Sequence, residues 1–347
     1  MAKKIRVKEI AKEVGCSAAT VSQAFNNPKL VNRKTRTSIL EVCERLGYVR
    51  KRFGQKTRKI IGITGISHEL IFGEYYNKVT ASILSAAKEQ GINVIVEYFA
   101  DEEDALPHMF SKKVMDGVLI LGKISQDHVL QIKQHNIPLV LCGHPIPGIE
   151  LHTVLSDGRA GLYEITKHLI KLGHKKIAHL TGGPIFDPVV SDRLDGFRYA
   201  LIEARIHLPE EYIAIGDFCA LDTAAAALDY LLNLKIPPTA IVCQSDALAY
   251  SVYRRLIELG YKVPRDISLS GFDNIPFPHY INAAKPQLTT VDVNLDQLGK
   301  TAVNILLDII ENPSRAAYRH TLPVQLIEGN TTGNLKEERL RARPKEL

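Results

Sequence analysis

The chain has 347 residues, 45% of them hydrophobic and 24% charged, with a formal net charge of +6 at pH 7. That length suits two or three domains with real cores, and the ordinary apolar fraction describes a globular protein. No apolar run is long enough to form a membrane-spanning helix and MAKKIRVKEI lacks the apolar segment of an export signal, so the cytoplasm is the expected location.

The charge is unevenly placed. Residues 1–59 hold 16 Lys and Arg against 4 Asp and Glu, and the rest of the chain holds 28 against 34. A basic head on a mildly acidic body is the footprint of a polyanion-binding module. Charge runs are often only solvated tails, but this head has helical patterning. VKEIAKEVG puts Ile10, Ala11 and Val14 on one face and stops at Gly15. Ser17 is a good N-cap for a second helix through about Asn26. NPKLVN reads as a loop, and NRKTRTSILEVCERLG as a third helix with Ile39, Val42 and Leu46 inward. VRKRFGQKTRK, residues 49–59, is basic, lacks apolar periodicity and reads as a linker.

In the second helix, residues 18, 19, 22 and 23 share one face, while Val21, Ala24 and Phe25 share the other. The outer face is small and hydrogen-bonding. Ala18 and Ala19 let the helix approach a surface closely and can meet a thymine methyl; Gln23 can pair with an adenine edge. This is the pattern of a helix-turn-helix with an exposed reading face. A small helical bundle with a polar surface is the blander alternative, and it leaves the charge excess unexplained.

From Lys59 onward strands alternate with amphipathic helices. The predicted strands are KIIGITGI, NVIVEYF, GVLILG, PLVLCG, KIAHLTG, YIAIGDF, AIVCQS, ISLSGFD and HTLPVQLI. Such Val/Ile/Leu runs between helices mean parallel sheets covered on both faces, and the length calls for two α/β lobes. NLKEERLRARPKEL at the end is a charged tail. The five cysteines, Cys16, Cys43, Cys142, Cys219 and Cys243, have no CxxC spacing and are expected to be reduced. GxGxxG opening a βα unit, a P-loop, HExxH and Gly-x-Ser-x-Gly are all missing, so no catalytic residues, cofactor or metal are expected.

Ligands in open parallel sheets bind beyond the carboxyl ends of the strands. Asp157, Phe218, Ser245 and Asp273 each follow an apolar run, and Arg193 is expected to open a helix after LTGG. Each acid alone can be a helix N-cap, a strong alternative for Asp157 and Asp246. Together an arginine, a carboxylate and an aromatic fit a small polar ligand, with Arg193 bridging hydroxyls, Asp273 accepting from them and Phe218 stacking on a ring.

IRVKEIAKEVGCSAATVSQAFNNPKLVNRKTRTSILEVCERLGY resembles the DNA-binding head of the lac repressor family of bacterial transcription regulators. SDGRAGLYEITKHLIKLGHKKIAHLTGG, SDRLDGF, QSDALAYSVYRRLIELGYKVPRDISLSGFDN and PQLTTVDVNLDQLGKTAV resemble its effector-binding core, in order. The resemblance implies a helix-turn-helix DNA-binding domain at 1–48, a basic hinge at 49–59, a core of periplasmic-binding-protein type at 60–332 and a tail at 333–347. The core's first lobe would take about 60–157 and 292–319, its second about 158–291 and 320–332. Ala18, Ala19 and Gln23 fall where the family reads bases. Ser17, Thr20, Ser22, Asn26 and Tyr48 fall where it mostly contacts phosphates or supports the helix, and Arg6 joins the DNA-contacting set. Arg193 and Asp273 fall at its ligand contacts, with Tyr75 or Tyr76 in the segment that often completes the site.

The resemblance implies a homodimer that reads a near-palindromic operator on double-stranded DNA at the nucleoid. It also implies a repressor with a small effector, most commonly a carbohydrate, that shifts the lobes and so operator affinity. The helix from about Tyr76 to Gln90 and the stretch ADEEDALPHMFSKKV are expected at the two-fold interface, and the tail is too short for a further coiled coil. The linker departs from the family: Gly54 and Thr57 stand where relatives place an alanine and a minor-groove leucine. A sugar-binding transport component and a sugar-acting enzyme are the competing classes; the first needs export and the second an acid/base set.

Overall fold

The structure is a computed structural model that describes residues 7–26, 30–46, 59–66, 73–99, 105–111, 114–216, 221–277, 286–313 and 316–335. The chain divides into two compact units, Met1–Arg58 and Lys59–Leu347.

The first unit holds α1 (Val7–Val14), α2 (Ala18–Asn26) and α3 (Arg33–Arg45). Gly15 takes φ +73°, a left-handed conformation that suits glycine and turns the chain sharply after α1. Ile10, Ala11, Val21, Ala24, Ile39 and Cys43 form the core where the three helices meet. Asn32 starts α3, its side-chain oxygen accepting from Lys34 N at 2.9 Å. The hinge expected at 49–59 lies outside the described residues except for Lys59.

The second unit opens with β1 (Ile60–Thr64), α4 (Glu74–Glu89), β2 (Asn93–Val96), the short α5 (His108–Ser111), β3 (Gly117–Leu121), α6 (Gln126–Gln134), β4 (Leu139–Cys142) and β5 (His152–Ser156). It continues with α7 (Gly158–Lys171), β6 (Ile177–Thr181), α8 (Pro188–Glu203), β7 (Ile213–Ile215), α9 (Leu221–Leu232), β8 (Ala240–Cys243), α10 (Asp246–Glu258), β9 (Ser268–Ser270) and β10 (Thr290–Asp292). Last come α11 (Leu295–Glu311), β11 (Arg319–Leu322) and β12 (Gln325–Ile327).

Two sheets result. One is parallel, in the order β11-β5-β4-β3-β1-β2, and the other is parallel in the order β7-β6-β8-β9. Parallel bridges Ser270↔Thr289 and Asp273↔Asp292 join the β9 end to β10, which pairs antiparallel with β12. Fully buried runs such as GVLIL and AIVC sit mid-sheet, as strands covered on both faces must. α11 packs on α4 in the first lobe, so closely that a Cβ on Gly299 would stand 2.7 Å from Ser82 Oγ.

The strand expectations need three corrections. β5 and β10 were not foreseen as strands: HTVLS and TVD are short and rich in polar residues. HTLPVQLI is two strands, because Pro323 has no N–H to donate to a ladder. β11 therefore belongs to the six-stranded sheet, beside β5, and β12 to the two-stranded sheet with β10.

Candidate functional sites in the head and the body

In the head, Ser17 begins α2 as expected. Its Oγ accepts from Thr20 N at 3.0 Å and lies 2.8 Å from the Thr20 hydroxyl. Those two side chains are tied to the helix start. Ala18, Ala19, Ser22 and Gln23 are exposed, while Val21 and Ala24 are buried. Arg33, Lys34 and Arg36 are exposed in the first turn of α3, adding side-chain charge to the positive end of a helix. Arg6, Tyr48 and the side chains of Phe25 and Asn26 lie outside the described residues.

In the body, the strand order reverses between β6 and β8, which places a crevice at their carboxyl ends. Arg193 reaches that crevice from α8. It does not open the helix: Asp187 caps it and Pro188 starts it, so Arg193 stands in the second turn. The overlooked signal was Asp-Pro, an N-cap followed by the residue best suited to the first helical position. Arg193 Nη1 donates to Gln244 O at the end of β8, and Nη2 donates to Asp273 Oδ1 at 3.4 Å. Its guanidinium carbon lies 4.0 Å from the centre of the Phe272 ring.

Asp273 is held by backbone as much as by charge. Its φ is +114°, rare for a residue with a side chain, and its N–H donates to Val291 O at 2.9 Å. Burial pushes its carboxyl up to about 7, although Arg193 pulls the other way; the nearby Asp246 adds to the rise. Asp246 was not foreseen in this role. The cap of α10 is Ser245, which accepts from Leu248 N at 3.3 Å. Asp246 instead is fully buried, taking Ile275 N at 2.9 Å and the Thr290 hydroxyl at 2.6 Å, which clamps the loop carrying Asp273. Asp157 caps α7 through Ala160 N at 2.9 Å. The cap alternative thus describes Asp157 and not Asp246.

Tyr75 comes from the other lobe, on α4. Burial raises its phenol well above the ordinary value, the Asp273 charge and Cys142 add to the rise, and Arg193 opposes it. Tyr75 is therefore near enough to feel the charges of both Asp273 and Arg193. Tyr75 packs edge-to-face on Tyr76 at 4.9 Å, and Lys78 Nζ donates across to Asn274 O at 3.3 Å. Phe218 lies outside the described residues. Among the described residues, Arg193 Nε and Gln244 Nε2 are buried donors with no partner, and no group of three or more His, Cys, Asp or Glu is placed to hold a metal ion. A guanidinium fork, a carboxylate and a phenol hydroxyl can orient a small polar molecule by hydrogen bonds.

Comparison with known proteins gives the same two parts. Residues 6–51 match the family described as "Bacterial regulatory proteins, lacI family", and residues 166–332 match a periplasmic binding protein-like domain. The HTH-type transcriptional repressor PurR of Proteus mirabilis is 31% identical over 332 residues, which is 93% of this chain and 95% of that protein. The HTH-type transcriptional repressor CytR of Escherichia coli is 29% identical, over 94% of this chain and 96% of that one. Among solved structures, a LacI family transcriptional regulator from Enterococcus faecium with bound ribose superposes with a TM-score of 0.68 at 27% identity, over 80% of this chain and 100% of that chain.

Proposed function

Because this chain belongs to the lacI family of bacterial regulatory proteins, and is a DNA-binding transcriptional regulator, we propose that it is a repressor whose effector binds between the two lobes at Arg193, Asp273 and Tyr75. The observation that carries this reading is the buried Arg193–Asp273 pair at the strand ends of the second lobe, with Tyr75 of the first lobe within reach of both charges. Asp157 and Ser245 serve the site indirectly, by starting the helices that border it. Phe218 is proposed as the stacking aromatic.

The effector is proposed to be a sugar or sugar derivative. A guanidinium beside a carboxylate suits vicinal hydroxyls, and the ribose-bound relative of similar fold supports the class. On the DNA side, Ala18, Ala19 and Gln23 read bases, while Arg6, Ser17, Thr20, Ser22, Asn26 and Tyr48 hold phosphates or the helix. A homodimer presents two such faces to a near-palindromic operator. Its interface is proposed along α4 and residues 100–114. Domain limits of 1–48, 49–59, 60–332 and 333–347 follow, and the protein acts in the cytoplasm at the nucleoid.

The test has two parts. Binding-site selection with the purified protein should return one near-palindrome, bound with a steep dependence on salt. A thermal-shift screen of sugars, nucleosides and purines should then find a ligand that stabilises the protein and changes its affinity for that site. A screen in which purines alone give both effects would replace the sugar by the base class; turnover of a sugar would overturn the reading.

A further inference from the structure

A second set of charged groups spans the same cleft. Asp187, the cap of α8 in the second lobe, accepts from Val189 N at 3.0 Å and Val190 N at 3.4 Å. The same carboxylate meets His144 Nε2 at 3.2 Å through Oδ1 and 3.1 Å through Oδ2, and Lys123 Nζ stands 3.8 Å away. His144 follows β4 and Lys123 follows β3, so both partners belong to the first lobe. The His144 and Asp187 side chains are 14% and 11% exposed, while Lys123 is 50% exposed.

His144 Nδ1 lies 3.0 Å from the Pro145 carbonyl. A carbonyl and a carboxylate can only accept, so a ring N–H of His144 has an acceptor waiting at either nitrogen. A charge-assisted hydrogen bond in a nearly buried place is about twice as strong as a neutral one. Lys123, longer and half in water, adds much less. The Asp187 carboxylate thus meets two side chains of the other lobe, which makes the cluster a contact between lobes.

We propose that Asp187, His144 and Lys123 form a latch that favours the closed cleft before any effector binds. This rests on the cleft being the effector site. Asp187 and Arg193 stand on one helix, so the latch also fixes the turn from which Arg193 meets Asp273. A ligand that binds the closed arrangement has its apparent affinity reduced by the fraction of protein that is not closed. The latch raises that fraction, and its strength sets how much effector is needed.

The test is hydrogen exchange by mass spectrometry on the full-length protein without effector. It compares wild type, Asp187→Asn, His144→Gln and the double variant. Asparagine caps a helix about as well as aspartate, so Asp187→Asn removes charge and keeps the cap. Either single variant should speed exchange roughly threefold to tenfold in residues 143–150 of the first lobe and 183–190 of the second, and the double variant should go no further. Lys123→Met should give a smaller change in the same segments. A change in Asp187→Asn confined to the second lobe, or a double variant equal to the product of the singles, would overturn the latch. No ligand enters this experiment, so its failure leaves the effector reading standing, and an empty effector screen leaves the latch standing.

Discussion

Arg193 Nη2 stands 3.4 Å from Asp273 Oδ1, between two nearly buried side chains that are 80 residues apart in sequence. Charge-assisted N–H···O bonds usually close to about 2.7–2.9 Å. This pair is longer, and Arg193 Nε has no partner among the described residues. A buried ion pair is weak evidence for stability, since desolvation offsets its attraction. Its place at the strand ends between the lobes points to ligand binding as the reason for it.

Arg193→Ala should therefore abolish the effector-induced thermal shift while leaving a folded protein. The fold should survive because Asp273, already near neutrality, takes up a proton when its partner is lost. If the effector is an inducer, operator binding persists in the variant and no longer responds; if it is a corepressor, specific operator binding is lost. A variant that responds at the wild-type effector concentration would make Arg193 a structural residue only.

A pH effect follows from the same carboxylate. The folded-state value for Asp273 is raised from 3.8 to about 7, and that for Asp246 to about 6. The folded protein thus binds more protons than the unfolded chain between those limits. The associated stability is present below about pH 4 and is lost as pH rises through about 7. Asp273→Asn, which tolerates positive φ, should melt higher than wild type at pH 8, and the difference should shrink toward pH 5. Equal melting differences at both pH values would contradict this assignment.

Much of this site could be read from the chain, and what could not has physical causes. SGFDN flagged Asp273 because it follows a strand, and Arg193 was flagged by its place after LTGG and by the family resemblance of SDRLDGF. Which acid caps which helix was not legible. Ser245 and Asp246 are adjacent, and only the loop after β9 decides that the serine caps and the aspartate is buried. His144 and Asp187 were missed because 43 residues separate them and neither sits in a motif. β5 and β10 were missed because short strands with threonine and serine have no apolar run to betray them.

Gly196, in the RLDGF stretch, has a packing role. A Cβ there would stand 2.0 Å from the Arg159 carbonyl oxygen, so α7 and α8 pack backbone to backbone at this point. Gly196→Ala should destabilise the protein by about 1–3 kcal/mol or more, since backbone must move. Gly183, whose nearest neighbour would be Val190 Cγ2 at 3.8 Å, is the control: its alanine variant should melt near wild type. Chemical denaturation of both variants decides between packing and a general intolerance of this region.

The basic linker makes a prediction of a different kind. Gly54 and Thr57 replace the alanine and leucine that the family resemblance leads one to expect there. Glycine weakens a helix by about 1 kcal/mol relative to alanine, and threonine lacks the bulk to open a base step. Operator bending should be smaller, and the dependence of binding on salt steeper, than in leucine-inserting relatives. A DNA complex in which a linker side chain, Phe53 included, opens a central base step would overturn this.

Gln23 is the one long side chain among the exposed residues Ala18, Ala19, Ser22 and Gln23 of α2. Alanines can meet thymine methyls but cannot choose among hydrogen-bonding edges, so sequence choice on this face falls to Gln23. A glutamine amide pairs with adenine N6 and N7 in the major groove. Gln23→Ala should cost about 1–3 kcal/mol on the preferred operator and relax one base position in each half-site. Gln23→Arg should move that position toward guanine, because a guanidinium suits O6 and N7. Both variants should fold as wild type does, since the side chain is exposed and the helix core of Val21 and Ala24 is untouched. Binding-site selection at one fixed salt concentration reads all three outcomes; a selected sequence that is the same for wild type, Gln23→Ala and Gln23→Arg would move base reading off this helix.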